Sequence, residues 1–583
     1  MKVTYNWLKD FVDIKLSPQA LADKLTMAGI EVSAIEEKYG DYVFEIEITS
    51  NRPDWLSVIG LAREVAAITG GKLKSGLRVK GQGLNKNLPL NPYHLTLTIE
   101  DEKDCPLYTA KIIRGVKVGA SPDWMRKRLE MVGLRSVNNI VDITNYVLFQ
   151  TGEPLHAFDL DKLSGPEICV RRARQGEKII TIDDKTHNLN PGILVIADKN
   201  NPVAIAGVMG GKESEVNFNT KNMLLEAAVF DPITIRRSRQ AVGLNSESSY
   251  RFERGVPLDV AITASLKAAE LILNSAAGTV TLAKQQGKIA VKPKTINVSN
   301  DTVNRLLGVN VKPALIKSGL SALGFKVKAK TKNNFAITVP AFRPDVNLVE
   351  DVVEEIARVY GYDKIPVTIP AIKPQLAGYS SRDLILAVKN TLVCLGLSEV
   401  VTYSMVDNGL LADFNLAQER EIVEILNPLS QDQDILRPSL IPSLASRIAF
   451  NLNRKQEYIN IFETADIYRW QDNSDAPVET PVLGLAFCGS RSIFFEQGST
   501  KDNAGFLHVK GVIGALFERL KIPLPRFAES TQNPSEISIF IKNESIGRVI
   551  ILSKKLLERL DIKNRQVCAA EIHLDNIMPF CNS

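Results

Sequence analysis

The sequence predicts a multidomain α+β protein. Three observations lead there. The chain has 583 residues, enough for roughly four domains at about 150 residues each. A short strand–turn–helix pattern occurs twice, once near the N-terminus and once in the middle. Elsewhere, apolar residues alternate at strand period in some stretches and recur at helical period in others. Hydrophobic residues make up 45% of the chain and the mean hydropathy is −0.03, an ordinary globular composition with enough chain for several cores. The net charge of +5 is small for this length, so it permits a polyanionic partner without demanding one.

The first small unit is expected over 1–85. Ser17 caps a helix with Pro18 at its first position, and Gly29 ends it. Phe44-Glu45-Ile46-Glu47-Ile48 alternates as a half-buried strand. The turn Ser50-Asn51-Arg52-Pro53-Asp54 leads into a helix over Leu56–Thr69, stopped by Gly70-Gly71. Gly81 to Pro92 reads as a polar connector. A large mixed unit follows over 86–288, with helices expected at Asp123–Val132, Asn139–Thr151 and Pro257–Ala277. A second small unit spans 293–368, and its helix–turn–helix-like pattern at 301–324 makes both small units winged-helix-like. The candidate second helix there, Ala314–Leu323, offers few side chains for base edges, so DNA reading is not expected. A last α/β unit spans 372–575, with helices near Arg382–Leu395 and Val509–Leu520 beside strands such as Tyr458–Ile461 and Ile537–Ile541.

The six cysteines, Cys105, Cys169, Cys394, Cys488, Cys568 and Cys581, form no C-x-x-C pair. That argues against zinc and redox chemistry and fits buried thiols in a reducing cytosol. MKVTYNWLKDFVDI has no apolar signal core, and no apolar run reaches the roughly 20 residues of a membrane span. A cytoplasmic protein with no membrane partner is expected.

The chemistry concentrates in two places. In the second small unit, Pro344 keeps Arg343 out of a helix that then runs from Leu348 to Tyr360 and closes at Gly361. Asp351, Glu354 and Glu355 share one helical face, and Asp345 lies in the turn before it. Four hard carboxylates without His or Cys suit magnesium better than zinc; the plain alternative is a solvated acidic face beside Arg358. The first unit echoes this stretch. Arg52-Pro53-Asp54 and Ala62-Arg63-Glu64-Val65 match Arg343-Pro344-Asp345 and Ala357-Arg358-Val359, with four extra residues in the second copy. The other stretch runs from Val141 to Gly255 and contains VDITNYV (141–147), PLHAFD (154–159), AIAGVMGG (204–211), LLEAA (224–228) and SESSYRFERG (246–255). Glu226 inside the apolar LLEAA run is costly to bury unpaired, the plain alternative being an edge-of-strand Glu facing water, and a His between Leu155 and Ala157 is, on its own, more often a packed core residue than a chemical one.

These motifs, in this order, resemble the phenylalanine–tRNA ligase beta subunit family over nearly the whole chain. Arg343-x-Asp345, Asp351-x-x-Glu354-Glu355-Ile-Ala-Arg358 and Gly361-Tyr362-Asp363-Lys364-Ile365-Pro366 look like the family's metal-bearing segment. The resemblance implies that Asp345, Asp351, Glu354 and Glu355 bind magnesium shared with an alpha subunit. It implies an α/β editing domain in which Thr144, Asn145, His156, Gly207, Glu226 and Ser246 line a pocket that hydrolyses tyrosine wrongly attached to tRNA(Phe). Ser248 stands where many members carry Ala. Such a second site is needed because a phenylalanine pocket rejects an added hydroxyl only weakly.

The last unit is similar to a class II synthetase antiparallel-sheet domain, with Leu426-Asn427-Pro428-Leu429-Ser430 and Leu436-Arg437-Pro438-Ser439-Leu440 in the catalytic-like core. It has no G-x-G-x-G-x-E-R stretch and no F-R-x-E pair, so ATP and adenylate chemistry fall to the partner alpha subunit. Arg171-Arg172-x-Arg174, Arg236-Arg237-x-Arg239 and Arg251/Arg254 are candidate phosphate contacts or plain surface. Glu36-Glu37-Lys38-Tyr39-Gly40 runs on without the family's bacterial oligonucleotide-barrel insertion, and the C-terminal anticodon-contacting domain is also expected to be missing. The resemblance implies an alpha-two beta-two ligase using tRNA(Phe), ATP and Mg2+. The rival expectation is a non-catalytic tRNA scaffold or regulator with a dead editing pocket.

Overall fold

The computed structural model describes residues 1–74, 95–288, 292–373, 380–472, 474–495, 498–503, 505–530 and 535–581, so the expected connector at Gly81–Pro92 lies outside the described residues. The chain is a mixed α/β protein of several sheets in two compact units, Met1–Ile369 and Pro370–Ser583. Among the described residues, no helix is long and apolar enough to cross a membrane.

Unit 1 opens with β1 (Lys2–Thr4), α1 (Tyr5–Lys9), α2 (Pro18–Met27), β2 (Val32–Lys38), β3 (Asp41–Ile46) and α3 (Val58–Thr69). The strands form a sheet in the order β1-β3-β2. Ser17 accepts from the Ala20 amide to cap α2, and Pro18 occupies its first turn. Tyr39 and Gly40 both have positive φ, the paired left-handed turn that joins β2 to β3 with matching twist. Pro53–Leu56 is a separate 3-10 turn, so α3 starts two residues later than the periodicity predicts. Gly70, in the left-handed region at φ 71°, ends it.

The middle of unit 1 comprises β4 (Thr96–Ile99), β5 (Leu107–Arg114), α4 (Asp123–Met131), α5 (Asn139–Thr151) and β6 (Leu155–Asp159). Next come β7 (Glu167–Arg172), β8 (Lys178–Ile180), β9 (Thr186–Asn188), β10 (Leu194–Ala197), β11 (Pro202–Ile205), β12 (Met209–Gly210) and β13 (Asn222–Val229). It closes with α6 (Pro232–Val242), α7 (Glu247–Phe252), α8 (Leu258–Ala276) and β14 (Thr279–Gly287). Two sheets, ordered β12-β11-β10-β7-β4 and β14-β5-β13-β6, enclose one core. On β13, Leu224 and Ala228 face this core, while Met223, Leu225 and Ala227 face a second core shared with α3, α5 and α8. The period of two along the strand therefore puts Glu226 on the inter-sheet face.

The second small unit contains β15 (Thr295–Ser299), α9 (Asn300–Leu307), α10 (Pro313–Ala322), β16 (Lys326–Ala329), β17 (Asn334–Thr338) and α11 (Val349–Tyr360), with sheet order β15-β17-β16. Its core includes Val352, Val353 and Ile356, the apolar stripe of α11.

Unit 2 is built on one large sheet. Antiparallel strands at Tyr458–Arg469, Val478–Phe495, Val567–His573, Glu544–Ile551, Glu536–Ile541 and Arg526–Glu529 pair in that spatial order. Helices Ser381–Cys394 and Phe506–Leu520 share one core with it, and Ile441–Leu452 packs in the other. Arg437 is an internal staple, donating to Glu463, Thr402 and the Asp466 carbonyl. Leu426 and Leu429 stand 100% and 93% exposed. All six cysteines are free; Cys105, Cys488 and Cys568 are buried, but Cys394 is exposed, contrary to the expectation of uniformly buried thiols.

Candidate functional site

The two chemical stretches of the sequence meet different fates. On the inter-sheet face, Glu226 on β13 pairs directly with His156 on β6 and with Ala110 on β5. His156, Glu226 and Gly207 line one cavity with Pro154, Met209, Gly210, Ser248 and Phe252, enclosing about 50 Å³. Glu226 Oε2 and His156 Nε2 are buried without a hydrogen-bond partner. Buried polar atoms are rarely left this way unless something else completes them. Burial raises the Glu226 carboxyl to about 8, with the nearby Tyr108 hydroxyl opposing. That hydroxyl approaches Glu226 without closing a hydrogen bond. Burial lowers His156 to about 4, so the ring is neutral at pH 7.

Two glycines give the cavity its shape. Gly207 sits in the left-handed region at φ +65°, and a Cβ there would lie 2.9 Å from Ile235 and 3.0 Å from Phe252. A Cβ at Gly210 would lie 2.3 Å from His156 Cε1, so the imidazole fills the space of the absent side chain.

The remaining expected pocket residues are placed differently. Ser246 caps α7, accepting from the Ser249 amide at 3.0 Å, and its hydroxyl donates to the Val208 carbonyl at 2.7 Å. It holds the cavity loop while Ser248, two residues on, lines the cavity. Thr144 is buried on α5 and donates to the Val141 carbonyl at 2.7 Å, and Asn145 is half-buried beside it; neither lines the cavity. The sequence reading missed Glu153 and Tyr108. Both are fully buried, with neither Glu153 oxygen nor the Tyr108 hydroxyl closing a hydrogen bond, although the Ala228 amide comes near Glu153. Burial, then the Glu226 charge, pushes the Glu153 carboxyl well up. A lone charge between Gly152 and Pro154, next to an apolar strand, was the available signal.

The acidic quartet does not assemble as expected. Arg343 grips Asp345 with two bonds of 2.9 and 2.7 Å and also donates to Glu355 at 2.8 Å. Arg358 donates to the other Glu355 oxygen at 2.7 Å. Asp351 Oδ2 accepts the Asn347 and Leu348 amides at 2.6 and 2.7 Å, capping α11, and Glu354 is exposed. Among the described residues, no group of three or more His, Cys, Asp or Glu side chains is arranged to hold a metal. As a quartet these acids do not fit a magnesium ion, because guanidinium groups already occupy Asp345 and Glu355. For Glu355, burial opposes charge, but the Arg343 bond and the Arg358 charge outweigh it and hold the carboxyl at about 2.

The same contacts correct the repeat alignment. Arg52 grips Asp54 with two bonds of 2.9 Å and donates to Glu64, 12 residues on, as Arg343 does to Glu355, also 12 residues on. Segments 52–70 and 343–361 therefore align without a gap, Glu64 on Glu355 and Gly70 on Gly361, and α3 and α11 each have 12 residues. The second copy gained no residues. Arg358 lies one turn past the position first matched to it and reaches across to Glu64 at 3.1 Å and to the Ala28 carbonyl at 2.9 Å.

The arginine clusters are also largely spoken for. Arg171 pairs with Glu177, Arg172 with Asp104, Arg239 and Arg254 with Glu253, and Arg251 with Glu247. Arg174, Arg236 and Arg237 are the exposed ones, so the expected phosphate contacts shrink to these.

Comparison with known proteins decides the family. Three domain families match: the B3/4 domain over 104–277, the tRNA synthetase B5 domain over 296–362 and the phenylalanyl tRNA synthetase beta chain CLM domain over 365–574. The phenylalanine–tRNA ligase beta subunit of Carboxydothermus hydrogenoformans is 37% identical over 90% of this chain and 66% of its own length. That of Geobacter metallireducens is 33% identical over 94% of this chain and 83% of its own length. The chain belongs to the phenylalanine–tRNA ligase beta subunit family. It spans about two thirds of the length of the Carboxydothermus subunit and of the 38% identical Syntrophus aciditrophicus subunit, 66% of each. In this family assignment, the Glu226–His156 cavity lies within the B3/4 match, and the Arg343–Glu355 contact within the B5 match. An N-terminal fragment of the Pyrococcus horikoshii subunit aligns in structure at 18% identity over 62% of this chain and 99% of its own, with a TM-score of 0.35 that bears no weight.

Proposed function

We propose that this chain works as the beta subunit of phenylalanine–tRNA ligase. With an alpha subunit that binds ATP, it would attach L-phenylalanine to tRNA(Phe), and in its own B3/4 domain it would hydrolyse mischarged Tyr-tRNA(Phe). The domain arrangement that goes with this reading is an N-terminal unit over 1–85, an editing domain over 86–288, a winged-helix-like unit over 293–368 and a class II synthetase-like sheet domain over 372–575. The assembly is an alpha-two beta-two heterotetramer in the cytoplasm.

One observation carries the editing reading: Glu226 and His156 face each other across the β6–β13 pair in a glycine-shaped cavity, each with an unbonded polar atom. A neutral carboxyl at that depth can donate to or accept from a tyrosyl hydroxyl, and it discriminates because an apolar ring would leave it unpaired. The neutral His156 Nε2 is free to hold the attacking water or the ester. Ser246, Thr144 and Asn145 act from behind by fixing the cavity loop and α5. The test is Tyr-tRNA(Phe) deacylation by the chain in complex with its alpha partner. Glu226→Ala should lose about 100-fold or more of this activity, in the range expected for removing a recognition hydrogen bond made in a buried site. Equal rates for wild type and variant would sink the reading.

The cavity itself favours a second reading. At about 50 Å³ it has room for a water or two, so a tyrosyl ring enters only if Met209 or Ser248 gives way. A pocket that stays shut makes the chain a tRNA-binding scaffold, and the same assay separates the two.

For magnesium, the acids still able to face a partner are Glu354 and the second oxygen of Asp351. We assign those two to an ion completed by alpha-subunit oxygens, and Asp345 and Glu355 to holding the segment in place.

A further inference from the structure

Three serines stand at the start of α7, and two of them are spent on the helix itself. Ser246 is the N-cap, accepting from the Ser249 amide at 3.0 Å and donating to the Val208 carbonyl at 2.7 Å. Ser249 is fully buried; its hydroxyl accepts from the Ser246 amide at 3.0 Å and donates to the Ser246 carbonyl at 3.1 Å. Ser248 is half-buried, and its hydroxyl meets no hydrogen-bond partner among the described residues. It lines the Glu226–His156 cavity, where it is the third polar side chain. The other side chains of that wall are apolar, Leu155, Ile196, Ile205 and Phe252 among them.

The cavity has the size of the group these side chains would meet. About 50 Å³ admits one or two oxygen atoms and no aromatic ring. A ring must therefore take its room from a neighbour. Ser248 cannot give way, because α7 is held by Arg251, whose Nε donates to the Leu56 carbonyl at 3.1 Å, and by Phe252, edge-on to Phe230 at 5.0 Å. Met209 can. It is half-buried on β12, the edge strand of its sheet, and its side chain is unbranched with three rotatable bonds. A turn of Met209 opens a slot for a ring whose hydroxyl ends in the present cavity. The hydrogen count then selects a phenol. Its proton goes to the Glu226 carboxyl, whose Oε2 is unbonded, and its oxygen accepts from Ser248. A phenyl ring in the same place leaves both groups unpaired.

We propose that Ser248 is a specificity-determining residue of the cavity: its hydroxyl donates to the tyrosyl oxygen that Glu226 also holds, and Met209 is the side chain that turns aside to admit the ring. The tRNA ester as substrate rests on the editing reading above; the contact with a phenol does not.

The first measurement uses the chain in complex with its alpha partner. Ser248→Ala should lower hydrolysis of Tyr-tRNA(Phe) relative to Phe-tRNA(Phe) about tenfold, the factor for one hydrogen bond at a half-exposed site. A ratio equal to that of wild type overturns the proposal, and so does an equal fall in both rates, which marks a merely structural serine. The second measurement uses the full chain alone, with L-tyrosinamide and L-phenylalaninamide as probes in calorimetry. Wild type should prefer the tyrosinamide, Ser248→Ala should shrink that preference about tenfold, and Met209→Ala should bind the tyrosinamide at least as tightly, since no side chain then has to turn. No preference in wild type, an unchanged preference in Ser248→Ala or weaker binding in Met209→Ala overturns the proposal. Preference without hydrolysis keeps the contact and sinks the editing reading; hydrolysis with an unchanged ratio does the reverse.

Discussion

Arg358 of the second repeat donates to Glu64 of the first, 3.1 Å from Nη2 to Oε2, across 294 residues of chain. Both side chains are almost fully buried. The two repeats are thus joined by a seam of charge: Arg52, Arg343 and Arg358 among Asp54, Glu64, Asp345 and Glu355, with Trp55 donating to Glu64 at 3.0 Å. Such a seam adds little net energy when complete, but it is costly to break, because each removed partner strands a buried charge.

Glu355→Gln should therefore cost about 3–5 kcal/mol, read from denaturant unfolding of the full chain. Because the folded Glu355 carboxyl sits at about 2, below its usual 4.5, its contribution is present above pH 4.5 and is lost as pH falls toward 2. An unfolding midpoint unmoved by the substitution would contradict the seam.

Glu354→Gln separates the metal from the seam. Exposed Glu354 carries no burial, so the variant should match wild-type stability within about 0.5 kcal/mol. It should still weaken magnesium-dependent assembly with the alpha subunit, measured by co-purification over a magnesium titration. Normal assembly at every magnesium concentration would remove Glu354 from the ion.

Glu226 makes the B3/4 domain sensitive to alkali. Its carboxyl is raised from 4.5 to about 8, so folding favours the protonated form and stability falls as pH rises from 4.5 through 8. Glu226→Gln should be more stable than wild type at pH 9, by on the order of 3 kcal/mol, and should keep more deacylation than Glu226→Ala, because its amide still donates and accepts. His156 works from the other side: lowered to about 4, it costs stability as pH drops from 6.5 through 4. A thermal-shift profile flat from pH 5 to 9 would count against a buried Glu226.

Gly210→Ala should abolish deacylation with little change in tRNA binding. Its new Cβ would overlap the His156 ring, which must then leave its position opposite Glu226. Retained activity would show that His156 acts from elsewhere.

Leu426 and Leu429 stand almost fully exposed in the LNPLS stretch, with Val401 88% and Tyr403 76% exposed. Under the proposed function this apolar set is the candidate surface for the alpha subunit. Leu426→Asp with Leu429→Asp should abolish co-purification with alpha while the isolated chain melts unchanged; a normal complex would put the interface elsewhere.

Much of this was legible in residue order. The cap Ser17, the stop at Gly70 and the helix Asn139–Thr151 follow from local chemistry, since each is decided within a few residues. That Glu226 and His156 share a pocket was expected only from the family resemblance; their direct pairing across β6 and β13 belongs to the fold. What misled was charge at helical spacing. Asp351, Glu354 and Glu355 share a helix face in sequence, yet Asp351 turns back to cap, Glu354 turns outward and Glu355 turns in to Arg343.

By itself, then, the order of residues set the helices, the strand faces, the doubled Arg-Pro-Asp segment and the family. Only the folded chain could say which acid meets which arginine, because spacing does not decide it: Arg358 meets Glu355, one turn before it, and also Glu64, 294 residues away. A buried carboxylate takes whatever cation the packing delivers, whether that is a metal or, as at Glu355, two guanidinium groups.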